Sequence, residues 1–160
     1  MALRGSGATV DALAPASPAQ TFAIMTRADP SQFYPRFRVI PATTAVRDQT
    51  GAWDAEGQTR RLMLSDGGSV VETLKSVQPP YRFVYELTDF RRIFGALVHH
   101  ARADWTFTEE AQRTRVRWTY TFFAKPGRGL AVAAIVTLFW RPYMKHVLPG
   151  LIAEVRGTAR

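Results

Sequence analysis

The chain has 160 residues, a formal net charge of +8 and no cysteine. This length suits one domain, and the lack of cysteine excludes disulfides, thiolate zinc sites and cysteine nucleophiles. The longest apolar run, residues 130–140, is far shorter than the ~20 residues that span a bilayer, and the first ten residues hold no apolar core of signal-peptide length. We therefore expect a cytoplasmic protein with one domain over residues 8–157, after a loose N-terminus of residues 1–7.

The positive charge is carried almost wholly by arginine, in pairs such as Arg60-Arg61 and Arg91-Arg92 and in alternating single positions. A nucleic-acid site is typically built from a cluster or run of basic residues. The scatter favours a generally basic surface and no specific nucleic-acid partner. Weak attraction to a membrane surface and an interaction module that uses the basic surface are the alternatives.

The first elements are predicted to be a strand over residues 8–14 and a helix over residues 18–28. Ser17 suits the N-cap of this helix, and Pro18 suits its first position. Residues 31–34 are predicted to form one further helical turn.

From residue 40 the apolar residues alternate with period two, which indicates half-buried strands. The predicted strands are residues 40–47, 58–65, 69–77, 81–88, 99–108 and 114–124. Asp66-Gly67 suits a two-residue hairpin turn, because glycine accepts the positive φ that such turns need. That turn would place Met63 opposite Val70 and Arg61 opposite Glu72.

The last two strands carry the strongest pattern. A four-residue loop over residues 110–113 would place Phe107 opposite Val116 and Trp105 opposite Trp118. A slip of one residue would bring Trp105 across from Arg117 instead, so burial should fix this register. One face of the sheet is therefore predicted to be strongly aromatic.

Residues 128–156 have helical spacing and are predicted to form one long helix, bent at Pro142 and Pro149. The order of elements is strand, helix, about six consecutive strands and a long helix. This order predicts an α+β fold in which the terminal helix covers one side of an antiparallel sheet.

Three segments resemble the SRPBCC superfamily, the helix-grip group that includes polyketide cyclase/dehydrase-like proteins, START-type lipid-binding domains and the birch-pollen allergen family. They are "APASPAQTFAIMTRADPSQFYP" at residues 14–35, "VVETLKSVQPPYRFVYEL" at 70–87 and "ADWTFTEEAQRTRVRWTYTF" at 103–122. The resemblance implies a curved sheet of about seven strands wrapped around the bent helix, enclosing a hydrophobic cavity. Gly51 and Gly57 are isolated, unlike the Gly-rich loop of the plant allergens, so the chain is more similar to the bacterial cyclase-like branch.

This resemblance implies a ligand site but brings no catalytic residues with it. An apolar cavity with a few polar groups suits small-molecule binding, whereas the alternative is a filled core. The residues predicted to line the cavity are Met63, Phe83, Tyr85, Trp105, Phe107, Trp118, Tyr120, Leu138 and Phe139.

Histidine and charged residues are weaker candidates. By alternation His99 lies on the Trp105 side of its strand and is a candidate acid or base, whereas His100 faces solvent. His146 lies outside any HExxH pattern, so no metal is expected, and no signature of a phosphate-binding or dinucleotide-binding loop predicts a cofactor.

Several charged residues are predicted to form pairs, either as ordinary surface pairs or as a cavity carboxylate that acts as a base. These pairs are Glu72 with Arg61, Glu86 with Arg82 or Arg91, and Asp104 with Arg117.

Taken with the family resemblance, the sequence favours a monomeric or homodimeric carrier of a hydrophobic small molecule, such as a lipid, a polyketide or an isoprenoid-like compound. The alternative is a cyclase/dehydratase enzyme that uses a cavity histidine, tyrosine or arginine. The segment 90–98 places Arg91-Arg92 beside apolar residues, which suits transient contact with a membrane surface.

Overall fold

In the computed structural model, which describes residues 3–159, a seven-stranded sheet packs against a long C-terminal helix. Two short helices follow the first strand, and a third lies between the fifth and sixth strands. The elements are β1 (Gly5–Ala14), α1 (Pro18–Arg27), α2 (Pro30–Phe33), β2 (Thr43–Arg47), β3 (Thr59–Leu64), β4 (Ser69–Gln78), β5 (Arg82–Thr88), α3 (Ile93–Leu97), β6 (Val98–Glu110), β7 (Arg113–Ala124), α4 (Gly129–Ile135), a π-helical turn (Val136–Trp140) and α5 (Arg141–Thr158).

The N-terminal elements follow the local signals in the sequence. Ser17 caps α1 through the backbone N–H of Gln20, whose side chain returns a hydrogen bond to the Ser17 backbone, and Pro18 begins the helix. Strand β1 begins at Gly5, which pairs with Phe123, so the prediction of a loose terminus is wrong for residues 5–7. Residues 1 and 2 lie outside the described residues.

The sheet is antiparallel throughout, with strand order β1-β7-β6-β5-β4-β3-β2. The predicted register of the last hairpin is confirmed, with Phe107 opposite Val116 and Trp105 opposite Trp118. The two indoles are buried and stack with ring centroids 4.6 Å apart. Glu110 and Arg113 pair with each other, so only Ala111 and Gln112 form the turn.

The β3–β4 register differs by one residue from the prediction. Leu64 donates its backbone N–H to the carbonyl of Gly68, so the turn has three residues, 65–67, where Asp66-Gly67 predicted two. Arg60 is therefore opposite Glu72, and Met63 is opposite Ser69. Because side chains alternate along a strand, this shift moves the arginine partner of Glu72 from the outer face to the core face.

The C-terminal helix runs without a break from Gly129 to Thr158, but its middle is a π-helical turn over Val136–Trp140. Pro142 follows this turn at the start of α5 and has no N–H to donate to the carbonyl of Leu138, which permits the wider turn. One side of α5 packs onto the sheet through Tyr143, Met144, Val147, Leu148, Leu151, Ile152 and Val155. Between residues 3 and 159, no helix has both the length and the apolar character needed to cross a membrane.

Candidate functional site

A cavity of about 70 Å³ lies between the sheet and α5, at the end of the molecule where α3 is found. Strands β2, β3, β4, β5 and β7 supply its floor. The segment after α2, helix α3 with the preceding Phe90, the π-helical turn and the start of α5 supply its other walls. Its lining is mostly apolar or aromatic: Tyr34, Ile40, Pro41, Thr43, Leu62, Leu64, Val70, Glu72, Tyr85, Leu87, Phe90, Phe94, Tyr120, Phe122, Trp140 and Tyr143.

One ion pair lies at the wall of this cavity. Arg60 donates from Nε to Oε2 of Glu72 over 2.6 Å, and both side chains are more than nine-tenths buried. Trp53 covers the guanidinium, which lies 3.9 Å from the centre of its ring. A buried carboxylate needs such a partner because an isolated charge in the protein interior is very costly.

The strand pattern explains why Glu72 faces inward. It lies between Val70 and Leu74 on the core face of β4, and Arg60 lies beside Leu62 on the core face of β3. The hairpin register then places the two opposite each other. Strand alternation therefore holds a carboxylate at a fixed position in an apolar wall.

Four tyrosines surround the cavity: Tyr34, Tyr85, Tyr120 and Tyr143. Burial raises the pKa of each hydroxyl above the ordinary value of 10.0. The negative charge of Glu72 raises the pKa of the first three further. All four hydroxyls are therefore protonated at neutral pH and can donate hydrogen bonds.

The Glu72 carboxylate is a hydrogen-bond acceptor and the tyrosine hydroxyls are donors, in a cavity that is otherwise apolar. Only one Glu72 oxygen has a hydrogen-bond partner among the described residues, which is Arg60. The Tyr85 hydroxyl accepts a long hydrogen bond from the Trp105 indole, at 3.5 Å. The site is thus complementary to a molecule with an apolar body and a hydroxyl or carbonyl group.

The buried tyrosines predict a steep loss of stability at alkaline pH. A raised pKa means that the folded state keeps the proton which the unfolded state loses near pH 10, so stability is full below pH 10 and falls as the pH rises further. Each such tyrosine contributes a slope of up to about 1.4 kcal/mol per pH unit. Urea unfolding above pH 10 should show this slope, and Tyr143→Phe should reduce it. If the tyrosinate absorbance of all five tyrosines were half developed near pH 10 in protein that is still folded, the expectation would be contradicted.

The residues predicted to line the cavity are divided among different surroundings. Tyr85 and Tyr120 line it. Phe83 and Trp105 line a smaller void of about 20 Å³ that lies on the other side of Tyr34 and Tyr85. Phe107 and Trp118 are buried in filled core away from both spaces.

Three other predicted lining residues lie elsewhere, and their assignment to the cavity is wrong. Met63 alternates with the core residue Leu62 and points to the outer face of β3. Leu138 is 58% exposed, because the π-helical turn changes the facing of the helix. Phe139 is half-buried and packs at the edge of the core, outside the cavity.

His99 does not lie on the Trp105 side of its strand. A bulge between Val98 and His100 breaks the alternation, so the His99 ring is exposed and its Nδ1 lies 2.9 Å from Nδ1 of His100. His100 is half-buried and stacks on Phe123 at 4.3 Å. Burial lowers the pKa of His100. Neither histidine lines the cavity.

Sequence reasoning left open whether Glu72 belongs to a surface pair or to the cavity, and it missed the parts played by Arg60, Tyr34 and Tyr143. The position of Glu72 between Val70 and Leu74 was the available signal, since alternation places all three on one face. No comparable signal marks Tyr34, which follows α2, because its place depends on how that segment packs onto α5.

The remaining charged pairs lie on the surface. Asp104 accepts a two-pronged bond from Arg82, at 3.0 and 2.6 Å, so the predicted pair of Asp104 with Arg117 is wrong. Glu86 lies 4.0 Å from Lys75. Residues 3–159 contain no cluster of three or more histidine or acidic side chains arranged to hold a metal ion.

The family described as polyketide cyclase/dehydrase and lipid transport matches residues 8–156, nearly the whole chain. The chain belongs to this family. The match covers all seven strands except the start of β1, and α5 up to its last turn. No protein of curated function matches the sequence significantly.

Solved structures share the fold at low sequence identity. The Zhui aromatase/cyclase from Streptomyces sp. R1128 has a TM-score of 0.74 at 13% identity, over 98% of this chain and 97% of that one. A norcoclaurine synthase point mutant from Thalictrum flavum, in complex with a transition-state analogue, has a TM-score of 0.70 at 11% identity, over 98% and 99%. Ara h 8.0201 has a TM-score of 0.61 at 12% identity, over 97% of each chain. The predicted helix-grip fold of the SRPBCC superfamily is confirmed.

Proposed function

We propose that this protein is a carrier that binds a hydrophobic small molecule, such as a lipid, a polyketide or an isoprenoid-like compound, in the cavity between the sheet and α5. The observation that carries the proposal is an oily cavity with a single buried carboxylate in its wall. Apolar burial supplies most of the affinity, at ~25 cal/mol per Å². Glu72 and the tyrosine hydroxyls orient the polar group of the ligand.

The cavity of about 70 Å³ must enlarge to take a ligand of this kind, since drug-sized ligands occupy pockets of roughly 300–1,000 Å³. Helix α3 is the wall best suited to move. It has five residues, none of them buried, and it follows Arg92, whose φ of 71° is strained for a residue with a side chain. Its Phe94 and the preceding Phe90 close one side of the cavity.

Ligand occupancy can be tested on protein purified from cells. Native mass spectrometry is expected to detect an apolar adduct, and a fluorescent apolar probe should bind the emptied protein and be displaced by the extracted ligand. Leu87→Trp, which fills the cavity floor, should weaken probe binding by at least about 10-fold, because the added volume excludes the probe. Tyr81→Trp adds the same indole at an exposed site and serves as the control. Equal probe binding by both variants would contradict the proposal.

A second candidate function is a cyclase or dehydratase that acts on a poly-β-keto chain. It is favoured by Glu72, a carboxylate placed among tyrosine donors. In this reaction Glu72 would take a proton from the acidic carbon between two carbonyls, and a tyrosine would hydrogen-bond the enolate oxygen that forms. The name of the aromatase/cyclase of similar fold supports this candidate at the level of family.

One substitution separates the two candidates. Glu72→Gln keeps the shape and a hydrogen-bonding group but removes the base. An enzyme should lose about 100-fold or more in turnover of a model poly-β-keto substrate, whereas a carrier should show no turnover in either form. Retained turnover in the variant would exclude Glu72 as the base, and His99→Ala serves as a control because its ring lies at the surface.

A further inference from the structure

Three segments surround one end of the cavity, and we call them the rim: residues 35–41, residues 90–97 and residues 136–146. Each contributes lining residues, with Ile40 from the first, Phe94 from the second and Trp140 from the third. Aromatic contacts join them, and the ring of Phe37 lies 6.0 Å from that of Tyr143. Phe122 lies 6.3 Å from Phe94 and 4.9 Å from Trp140, measured between ring centroids.

Each segment of the rim also holds one large apolar side chain in solvent. Val39 is 64% exposed, Ile93 is 75% exposed and Leu138 is 58% exposed. Within residues 3–159 only two other large apolar side chains are exposed to this extent, Tyr81 and Leu130. Exposed apolar groups that collect in one place mark a binding surface, whereas single ones do not.

The charges of the rim all have the same sign. Its segments contain five arginines and one lysine and no aspartate or glutamate: Arg36, Arg38, Arg91, Arg92, Arg141 and Lys145. All six are exposed. Arg91 lies 3.5 Å from Asp89, and the other five make no ion pair among the described residues. The rim therefore combines positive charge with three exposed apolar side chains, Val39, Ile93 and Leu138, which we call the apolar tips.

We propose that the rim docks on the surface of an anionic lipid bilayer and exchanges the bound molecule there. The apolar tips enter the boundary between head groups and acyl chains, and the arginines contact lipid phosphates. The inference rests on the proposed carrier function, because a bilayer is the reservoir from which a water-insoluble ligand is drawn. It also explains why α3, which has no buried residue, and the exposed apolar residues share one end of the molecule.

A bilayer fits these observations better than an acidic protein partner does. The exposed apolar side chains, Val39, Ile93 and Leu138, come from three segments that are separate in the sequence. A protein surface can bind a fluid bilayer without a complementary shape, because its apolar side chains enter the acyl-chain region and its basic side chains contact the anionic head groups. The smooth spread of charge over all three segments suits such a surface.

The proposal is tested by co-sedimentation of the full chain with vesicles of phosphatidylcholine alone or mixed with phosphatidylglycerol. We expect binding to the anionic vesicles that weakens with added salt. Each arginine near the surface contributes about 1 kcal/mol, so the variant Arg38→Gln/Arg141→Gln should lower the partition coefficient on the order of 30-fold. Ile93→Ser should lower it by about 5-fold or more through lost apolar burial.

Matched controls lie at the other end of the molecule. Arg113→Gln/Arg156→Gln removes the same charge at the β6–β7 turn and near the end of α5, and Tyr81→Ser removes a large side chain that is 62% exposed at the β4–β5 turn. These variants should change partitioning less than about 2-fold, because their sites lie beyond a Debye length from the docked surface.

Equal binding to both kinds of vesicle, no binding to either, or equal losses in rim and control variants would overturn the docking proposal. These outcomes are independent of ligand binding, because the fluorescent probe measures cavity occupancy without vesicles. A rim variant that still binds the probe but no longer binds vesicles confirms docking. If the fluorescent probe does not bind but the protein still binds anionic vesicles, only the proposed carrier function is contradicted.

Discussion

Replacing Arg60 with methionine is expected to lower the free energy of unfolding by about 3–5 kcal/mol, because it leaves the Glu72 carboxylate buried without a partner. The long side chain of methionine fills much of the same volume, so the loss of charge dominates over any cavity. Urea denaturation at neutral pH, monitored by circular dichroism, measures the change as a shift in midpoint.

The double variant Arg60→Met/Glu72→Leu sharpens this test. Removing both charges leaves no unpaired ion, and replacement of a buried pair by apolar residues is often neutral or stabilising. The double variant should therefore be markedly more stable than Arg60→Met alone. Lys75→Met, which breaks the exposed pair with Glu86, is the matched control and should cost less than about 1 kcal/mol. A similar small cost for Arg60→Met would show that the pair is hydrated and not part of the core.

Trp118→Ala is expected to destabilise the fold by about 3–5 kcal/mol. This indole is fully buried. It stacks on Trp105 of the neighbouring strand, β6, with ring centroids 4.6 Å apart. The deleted ring leaves a void that close-packed neighbours fill only in part. Thermal or urea unfolding measures the loss.

A control for Trp118→Ala comes from the exposed surface. Tyr81 is 62% exposed, so Tyr81→Ala should change stability within about 0.5 kcal/mol. If the two variants lost equal stability, the Trp105–Trp118 stack would not be part of the cooperative core. Trp118→Phe should lose less than the alanine variant, and it also removes an indole N–H that has no hydrogen-bond partner in the described structure.

The predictable parts of the fold were those fixed by strong local signals. Ser17 and Pro18 marked the start of α1, and the alternating aromatic residues of β6 and β7 fixed their register. A one-residue slip in that hairpin would have moved Trp105 against a charged residue, so few alternatives competed. The need to bury large aromatic rings constrains the strand register, and the alternating positions of these rings can be read directly from the sequence.

The candidate site was harder to predict because it depends on small deviations from regular geometry. One extra turn residue between β3 and β4 exchanged Arg61 for Arg60 as the partner of Glu72. One bulge in β6 turned His99 to the surface. Loop length and bulges shift side chains by one position, which is enough to exchange the two faces of a strand.

The π-helical turn at Val136–Trp140 restricts how the length of this protein can vary. A π-helical turn holds more residues than an α-helical turn. The number of residues in it therefore decides which side chains of α5 point toward the sheet. Loss of one residue from this wide turn would leave a regular α-helical turn and keep Tyr143 in the cavity wall, whereas loss of one residue elsewhere in the helix before Tyr143 would rotate α5 by about 100° relative to the sheet. Relatives that keep the cavity should therefore place a one-residue change of helix length at this turn and accommodate other insertions in the 48–58 loop between β2 and β3.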